Sequence, residues 1–373
     1  MKRGHRLVVA IWVWVLALLI AGCGSATQQA ATRTPVPTPT ASASSPTATA
    51  TPPSSVTGLS AQQVATLSSL EKLDAYPLYT MHYVGSYGQA GTGSKDAAET
   101  QSLQTAPTWA CSLFAALGNA DDMLYGRNFD WDWSPALLLY TDPPDGYASV
   151  SMVDIAFLGL AGDRARGLDE LPIAERVALL DAPWLPFDGM NEHGLVVGMA
   201  AVPPGNMARD PQKPTIGSVG IIREMLDHAR TVDEALALLE SYNVDMTGGP
   251  PIHYLIADRT GKALLLEFYD GTLHVLANEA PWHQATNFLR ASVRGDAEGQ
   301  CWRYDELARR LNEAGGRLSV PQALDLLSTV SQESTRWSVV YGLQSGQIDI
   351  AMGRGYGNTH TLQLDMAPAL SSR

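Results

Sequence analysis

Cysteine is scarce in this chain: three residues in 373, at Cys23, Cys111 and Cys301. A disulfide-stapled scaffold is excluded, because such folds rely on several bridges to replace a small core. Positive charge is also short, with 25 Lys and Arg against 38 Asp and Glu, a formal net charge of −13. Three of the cations, Lys2, Arg3 and Arg6, stand at the very start, so the chain from Cys23 onward is more acidic still. That balance opposes nucleic-acid binding, in which phosphate contacts need clustered Lys and Arg. There is no Walker-type loop, dinucleotide fingerprint or internal repeat, and the eight His residues include no H-x-x-x-H pair. Long apolar runs are missing too. Leu7 to Ile20 has 14 residues. As a helix it would reach roughly 21 Å, short of the about 30 Å hydrocarbon core of a bilayer.

That short run, preceded by three cations, reads as a signal peptide over residues 1–22 rather than a membrane span. Ile20-Ala21-Gly22-Cys23 is similar to the bacterial lipobox, in which the Cys is acylated and becomes the mature N-terminus. Residues 23–57 are nearly all Ala, Thr, Ser and Pro, with Arg33 the only charge. Such a segment has too little apolar surface to offset the entropy of ordering it, and its prolines favour an extended tether. The expectation is an extracytoplasmic protein, lipid-anchored through Cys23 on a bacterial membrane. The 316 residues from 58 to 373 are enough for one large core.

Along that body, Ala61 to Asp74 has helical apolar spacing (Val64, Leu67, Leu70, Leu73), and Pro77 to Tyr87 is aromatic-rich and strand-like. Residues 88–107 are polar and Gly-rich, a flexible loop ending just before Trp109-Ala110-Cys111. From Cys111 the pattern predicts a hairpin: an apolar run, a Gly118–Asp122 turn, then Met123 to Trp131. Further strands are expected at 149–158, 194–201, 252–257, 263–269 and 338–343, and helices at 172–180, 221–229, 232–242, 304–312 and 321–330. Thr231 with Glu234 has capping-box spacing. Strands punctuated by grouped helices suggest α+β layers.

The hairpin gathers chemistry. With residues 118–122 as its loop, Cys111 falls opposite Phe129, give or take one, and Arg127 and Asp130 lie at the same end. An offset of three cannot place both on one face of a regular strand, so one must be reached through a bend or bulge. A cysteine nucleophile needs a base, a nearby cation favouring thiolate, and donors for a developing oxyanion. An N-terminal cysteine carries its own base, an α-amine with a reference pKa near 8. That arrangement requires a cut between Ala110 and Cys111. Two other readings stand: a Cys111–Cys301 disulfide, and Cys111 as a small core residue. A papain-like protease does not fit, since the Cys-Gly-Ser-Cys-Trp context is missing.

Taken together these residues resemble the choloylglycine hydrolase and penicillin V acylase family of N-terminal-nucleophile hydrolases, related to acid ceramidase. In that family the Cys is followed by Arg after 16 residues and Asp after 19, within a Gly-Arg-Asn-Phe-Asp string, as in Gly126-Arg127-Asn128-Phe129-Asp130 here. Asp188-Gly189-Met190-Asn191-Glu192 followed by Gly194-Leu195 is similar to a second family block, Ala285-Thr286-Asn287 to a third, and Trp302-Arg303-Tyr304 to the place of a second active-site Arg. The resemblance spans most of residues 108–343. It implies an αββα sandwich and hydrolysis of a linear amide in an N-acylated small molecule, with no metal or organic cofactor. It implies Cys111 as nucleophile, Asp130 orienting its amine, Arg127 setting its charge state, and Arg303 as a further site residue. It also implies Asn287 and the backbone N–H of residue 201 as oxyanion donors. Bile-salt hydrolases often carry Asn where this chain has Ala201, so bile-salt specificity is not implied. Some fifty residues precede the Cys, a layout closer to acid ceramidase. Residues 58–110 are therefore a pro-segment or a retained small subunit beside a catalytic part, 111–373. Acyl transfer by the same site, or binding of an acyl ligand without turnover, stays open.

Overall fold

The computed structural model describes residues 58–87, 110–205 and 207–368. The leader, the linker with Cys23 and the loop 88–107 lie outside the described residues. Among the described residues no helix is long and apolar enough to cross a membrane.

The first helix, α1 (Ala61–Ser68), is closed by a reciprocal box: Ser60 accepts the Gln63 N–H and the Gln63 side chain accepts the Ser60 N–H. It stops earlier than the apolar spacing predicts. Leu73 belongs instead to β1 (Glu71–Asp74), which turns into β2 (Leu78–Tyr83). Leu67 and Leu70 enter one core cluster while Leu73 packs against another, so residues 58–74 mix two periods. The hairpin from Cys111 is β3 (Ser112–Ala116) and β4 (Leu124–Asp130), and its register, Ser112 opposite Asn128, is the predicted one.

Next come β5 (Ala136–Thr141) and β6 (Ser149–Asp154). The expected strand 149–158 ends early because the Asp154 carboxylate accepts the Ala156 N–H at 3.0 Å and starts a 3₁₀ turn. The helix expected at 172–180 is two 3₁₀ pieces, Ile173–Glu175 and Val177–Trp184. Neither has a side-chain N-cap and the second contains Pro183, which removes a donor an α-helix would need. Then follow β7 (Asp188–Asn191), β8 (Val196–Ala201), β9 (Thr215–Gly217), α2 (Gly220–His228), α3 (Val232–Glu240) and β10 (Asn243–Asp245). Thr231 accepts the Glu234 N–H at 3.3 Å, but the Glu234 carboxylate returns to the Arg230 N–H, so only half of the expected capping box forms. The rest is β11 (Ile252–Ala257), β12 (Ala263–Tyr269), β13 (Thr272–Ala277), β14 (Trp282–Ala285), α4 (Trp302–Glu313), α5 (Val320–Thr329), β15 (Thr335–Gly342), β16 (Gln347–Met352) and β17 (Thr359–Gln363).

The larger sheet runs β1-β2-β5-β6-β7-β8-β11-β12-β13 and the smaller β14-β3-β4-β15-β16-β17. They face each other through β3 against β8 and β11, and the Tyr125 hydroxyl crosses the layer to the Leu255 carbonyl at 2.9 Å. Helix α2 covers β7 and β8 on the outside of the larger sheet, while α4 and α5 cover β3, β4, β14 and β15 on the outside of the smaller. The architecture is the expected αββα sandwich. Because both faces of β3 and β4 are covered, every residue in them is buried.

One buried charge sets a pH dependence on stability. Burial pushes the Asp154 carboxyl from 3.8 up to about 7. A folded-state pKa above the unfolded one means that the folded chain holds this proton more tightly, so stability falls as pH rises from about 4 through about 7. Asp154→Asn keeps a competent cap and removes the charge. Thermal melts should show it more stable than the parent at pH 8, by about 1–4 kcal/mol at 1.36 kcal/mol per pKa unit, and little changed at pH 4. Equal gain at both pH values would contradict this assignment.

Candidate active site

Cys111 stands immediately before β3, and the alternation of that strand sends it, with Leu113 and Ala115, toward the larger sheet. Phe114 and Ala116 point the other way, among Leu307, Leu311 and Leu326 of the helical layer. The pairing is tight enough to need Gly126, where an added Cβ would lie 2.3 Å from the Phe114 ring.

Arg127 faces the same layer as Cys111 and is fully buried. Its guanidinium donates to the Phe187 carbonyl at 3.0 Å and forms a closed ion pair with Asp188, which also accepts the Tyr341 hydroxyl. It lies 4.9 Å from the centre of the Phe129 ring. Burial opposes the Arg127 charge, but Asp188 and the Cys111 thiol outweigh it and hold the guanidinium protonated. Asp188 was legible as part of the Asp-Gly-Met-Asn block, but its partnership with Arg127 was not: the two belong to different sheets.

Asp130 is reached through the expected irregularity, which the partner strand supplies. The β4–β15 register shifts between Thr335 and Trp337, and the Thr335 hydroxyl donates to Asp130 Oδ1. Burial pushes the Asp130 carboxyl up to about 6, against the pull of the Thr335 hydroxyl, Arg303 and Arg127. Its Oδ2 is buried with no hydrogen-bond partner among the described residues. The Asp130 backbone N–H donates to the Cys111 thiol. That thiol is pushed up by burial and by the Asp130 charge, more than Arg127, this N–H and Arg303 pull it down. In the continuous chain it is a thiol that needs a base.

Asn287, two residues beyond β14, takes hold of the residue that carries the thiol. Its Oδ1 accepts the Cys111 N–H at 2.6 Å and an Arg303 N–H at 3.0 Å, while its Nδ2 donates to the Ala201 carbonyl at 2.8 Å. Arg303, in the first turn of α4, also donates to the Cys111 carbonyl and to Ser112 Oγ. The structure therefore brings Cys111, Arg127, Asp130, Asn287, Arg303 and Ala201 together. At Ala201 the contact with Asn287 runs through the carbonyl. The Val202 N–H bonds Pro251 at 2.9 Å, so ladder alternation turns the Ala201 N–H away from β11. Cys111 and Cys301 are both free thiols, not a disulfide. Asn191 shapes a turn: its amide donates to the Leu226 and Ala229 carbonyls at the end of α2, and its Oδ1 accepts the His193 and Leu195 N–H groups.

A cavity of about 810 Å³ opens onto Cys111, Arg127 and Ala201, a size that suits a small organic molecule. Phe129, Phe157, Trp184, Leu185, Phe187 and Ile252 give it apolar walls.

Residues 177–300 match the sequence model of the family described as linear amide C-N hydrolases, choloylglycine hydrolase family. That span includes the Asp188–Leu195 block, Ala201 and Asn287; Cys111, Arg127, Asp130 and Arg303 lie outside it. Among solved structures, a mutant conjugated bile acid hydrolase from Clostridium perfringens is similar at 16% identity and a TM-score of 0.49, covering 68% of this chain and 92% of its own. Penicillin V acylase from Agrobacterium tumefaciens is similar at 14% identity and a TM-score of 0.44, covering 65% of this chain and 83% of its own. Over residues 177–300, about a third of its length, the chain is similar to the choloylglycine hydrolase family of linear amide C-N hydrolases.

Proposed function

We propose that the protein hydrolyses the amide bond of an N-acylated small molecule, with Cys111 as an N-terminal nucleophile exposed by a cut between Ala110 and Cys111. The observation that carries this reading is the Asn287 Oδ1 contact with the Cys111 N–H at 2.6 Å. The nitrogen that would become the α-amine is already held, and we assign Asp130 Oδ2, buried without a partner among the described residues, as its second acceptor. After the cut, the amine takes the thiol proton as sulfur attacks the substrate carbonyl carbon. The oxyanion is met by the Ala201 N–H and by Asn287 Nδ2, which must leave the Ala201 carbonyl to reach it. The ammonium returns its proton to the departing amine as the C–N bond breaks. Water, deprotonated by the same amine, then opens the thioester and releases the acid. Arg127, fixed by Asp188, supplies the positive field that favours thiolate, and Arg303 ties Cys111 to Asn287. We read residues 1–57 as a leader and tether, which puts the proposed enzyme outside the cytoplasm, anchored through Cys23.

Asn287→Ala tests the oxyanion assignment. Measured on protein whose N-terminus has been verified as Cys111, kcat should fall by on the order of 10²–10³, the usual loss for one oxyanion donor. An unchanged rate would move that role to another residue.

A further inference from the structure

The cavity has an unusual charge balance for a site that recognises an amide conjugate. Its lining contains one cation, Arg127, and two carboxylates, Asp181 and Asp245. Arg127 is paired with Asp188, and its remaining field acts on the Cys111 sulfur, not on Asp181 or Asp245. Neither carboxylate is in an ion pair among the described residues. Asp181 lies in the 3₁₀ segment that also supplies Trp184 to the apolar wall. Asp245 is on β10, opposite Gly217, and accepts from the Thr247 N–H at 3.0 Å and the Thr247 hydroxyl at 2.6 Å. The two belong to different walls: one to the aromatic side, the other to the polar rim formed by 215–218 and 245–249. A further cation, Arg209, is exposed outside the lining, where it donates to Thr215 Oγ1 at 2.8 Å and favours the charged form of Asp245 without an ion pair to it. Arg303 faces the backbone of Cys111 and does not line the cavity.

We infer that this site selects amides whose amine half is uncharged or cationic, joined to an apolar acyl group, and discriminates against amine halves ending in a carboxylate or sulfonate. The inference rests on the hydrolase reading for the bond that is cut, but not for its sign. Whichever way the substrate lies, an anionic terminus meets a carboxylate, at the rim or beside Trp184. Like charges in a partly desolvated cleft repel more strongly than in bulk water. A hydroxyl at the same place accepts or donates a hydrogen bond to either carboxylate, and an ammonium pairs with it. The aromatic faces around Asp181 add a second attraction for a cation.

Three amides with one acyl chain separate the possibilities: N-dodecanoyl-ethanolamine, N-dodecanoyl-glycine and N-dodecanoyl-ethylenediamine. Binding is followed by calorimetry on the uncut Cys111→Ala chain at low salt, and turnover by amine release from the processed enzyme. The ethanolamine and ethylenediamine amides should bind at least tenfold more tightly than the glycine amide at pH 7.5. In a chain that also carries Asp181→Asn and Asp245→Asn, most of that gap should close. Equal affinities, a preference for glycine, or a gap untouched by the Asp→Asn pair would each overturn the inference. Selective binding without turnover of any amide would instead defeat the hydrolase reading and leave the charge selectivity standing. Failure of all three to bind at millimolar concentration would overturn both.

Discussion

Replacing Cys111 with Ala is expected to abolish turnover and the cut at Ala110–Cys111 together. Loss of a covalent nucleophile typically lowers kcat by on the order of 10⁶. Here the same sulfur is asked to do two jobs, because the uncut chain has no α-amine at residue 111. Burial keeps the thiol protonated in that state, and among the described residues the nearby carboxyl with an open oxygen is Asp130, held up to about 6. On the proposed mechanism the active form begins at Cys111, where the freed amine has Asn287 Oδ1 as an acceptor. N-terminal sequencing and intact mass of active protein check the maturation half, and steady-state rates check the catalytic half. Full activity in an uncut chain would sink the mechanism, since the base would then have to come from elsewhere. Cys301 is a built-in control: it is half-buried and unpaired, and Cys301→Ala should leave processing in place.

Much of this site could be read before any coordinates because its parts are local. Cys111, Arg127 and Asp130 sit in one hairpin, and a five-residue turn sets which residues oppose each other. The need for a bulge followed from strand periodicity, but not its location. It lies on β15, some two hundred residues away, and no periodicity in β4 could report that. The same limit hid the Arg127–Asp188 pair and the grip of Asn287 on the Cys111 N–H, both contacts between elements far apart in the chain. Strands such as β5, with the pattern Ala-Leu-Leu-Leu-Tyr-Thr, lack an alternating signature because both faces are covered. The segment 172–184 has helix-like apolar spacing yet forms 3₁₀ turns, since Pro183 and the missing caps decide the local hydrogen bonding.

The fragment released by the cut is expected to stay. In the continuous chain β2 pairs in parallel with β5 over six residues, Leu78 opposite Ala136 through Tyr83 opposite Thr141. This places residues 78–83, which precede the proposed cut, inside the larger sheet, between β1 and β5. Leu67, Leu78, Tyr79 and Met81 are fully buried. Their burial contributes about 6–12 kcal/mol at about 1.5–3 kcal/mol per large apolar side chain, before the entropy of ordering the segment is subtracted. Polar contacts fix the docking. The Tyr79 hydroxyl donates to the Ala165 carbonyl at 2.8 Å, and Asp74 pairs with His360 at 2.7 Å. Tyr87 donates to Asp227, which also pairs with Arg223 at 2.6 Å, and its ring stands edge-on to Trp184 of the cavity wall. Removing 58–87 would expose the β5 edge and unsupport one wall of the site, so a chain starting at Cys111 and made without it should be insoluble or inactive. After processing of the whole chain, a tag at residue 373 should recover both fragments in reducing buffer, in equal amounts. If Cys23 carries lipid, that association is also what would hold the catalytic chain at the membrane. Recovery of the catalytic chain alone, fully active, would refute the retained subunit and leave residues 58–87 a folding aid.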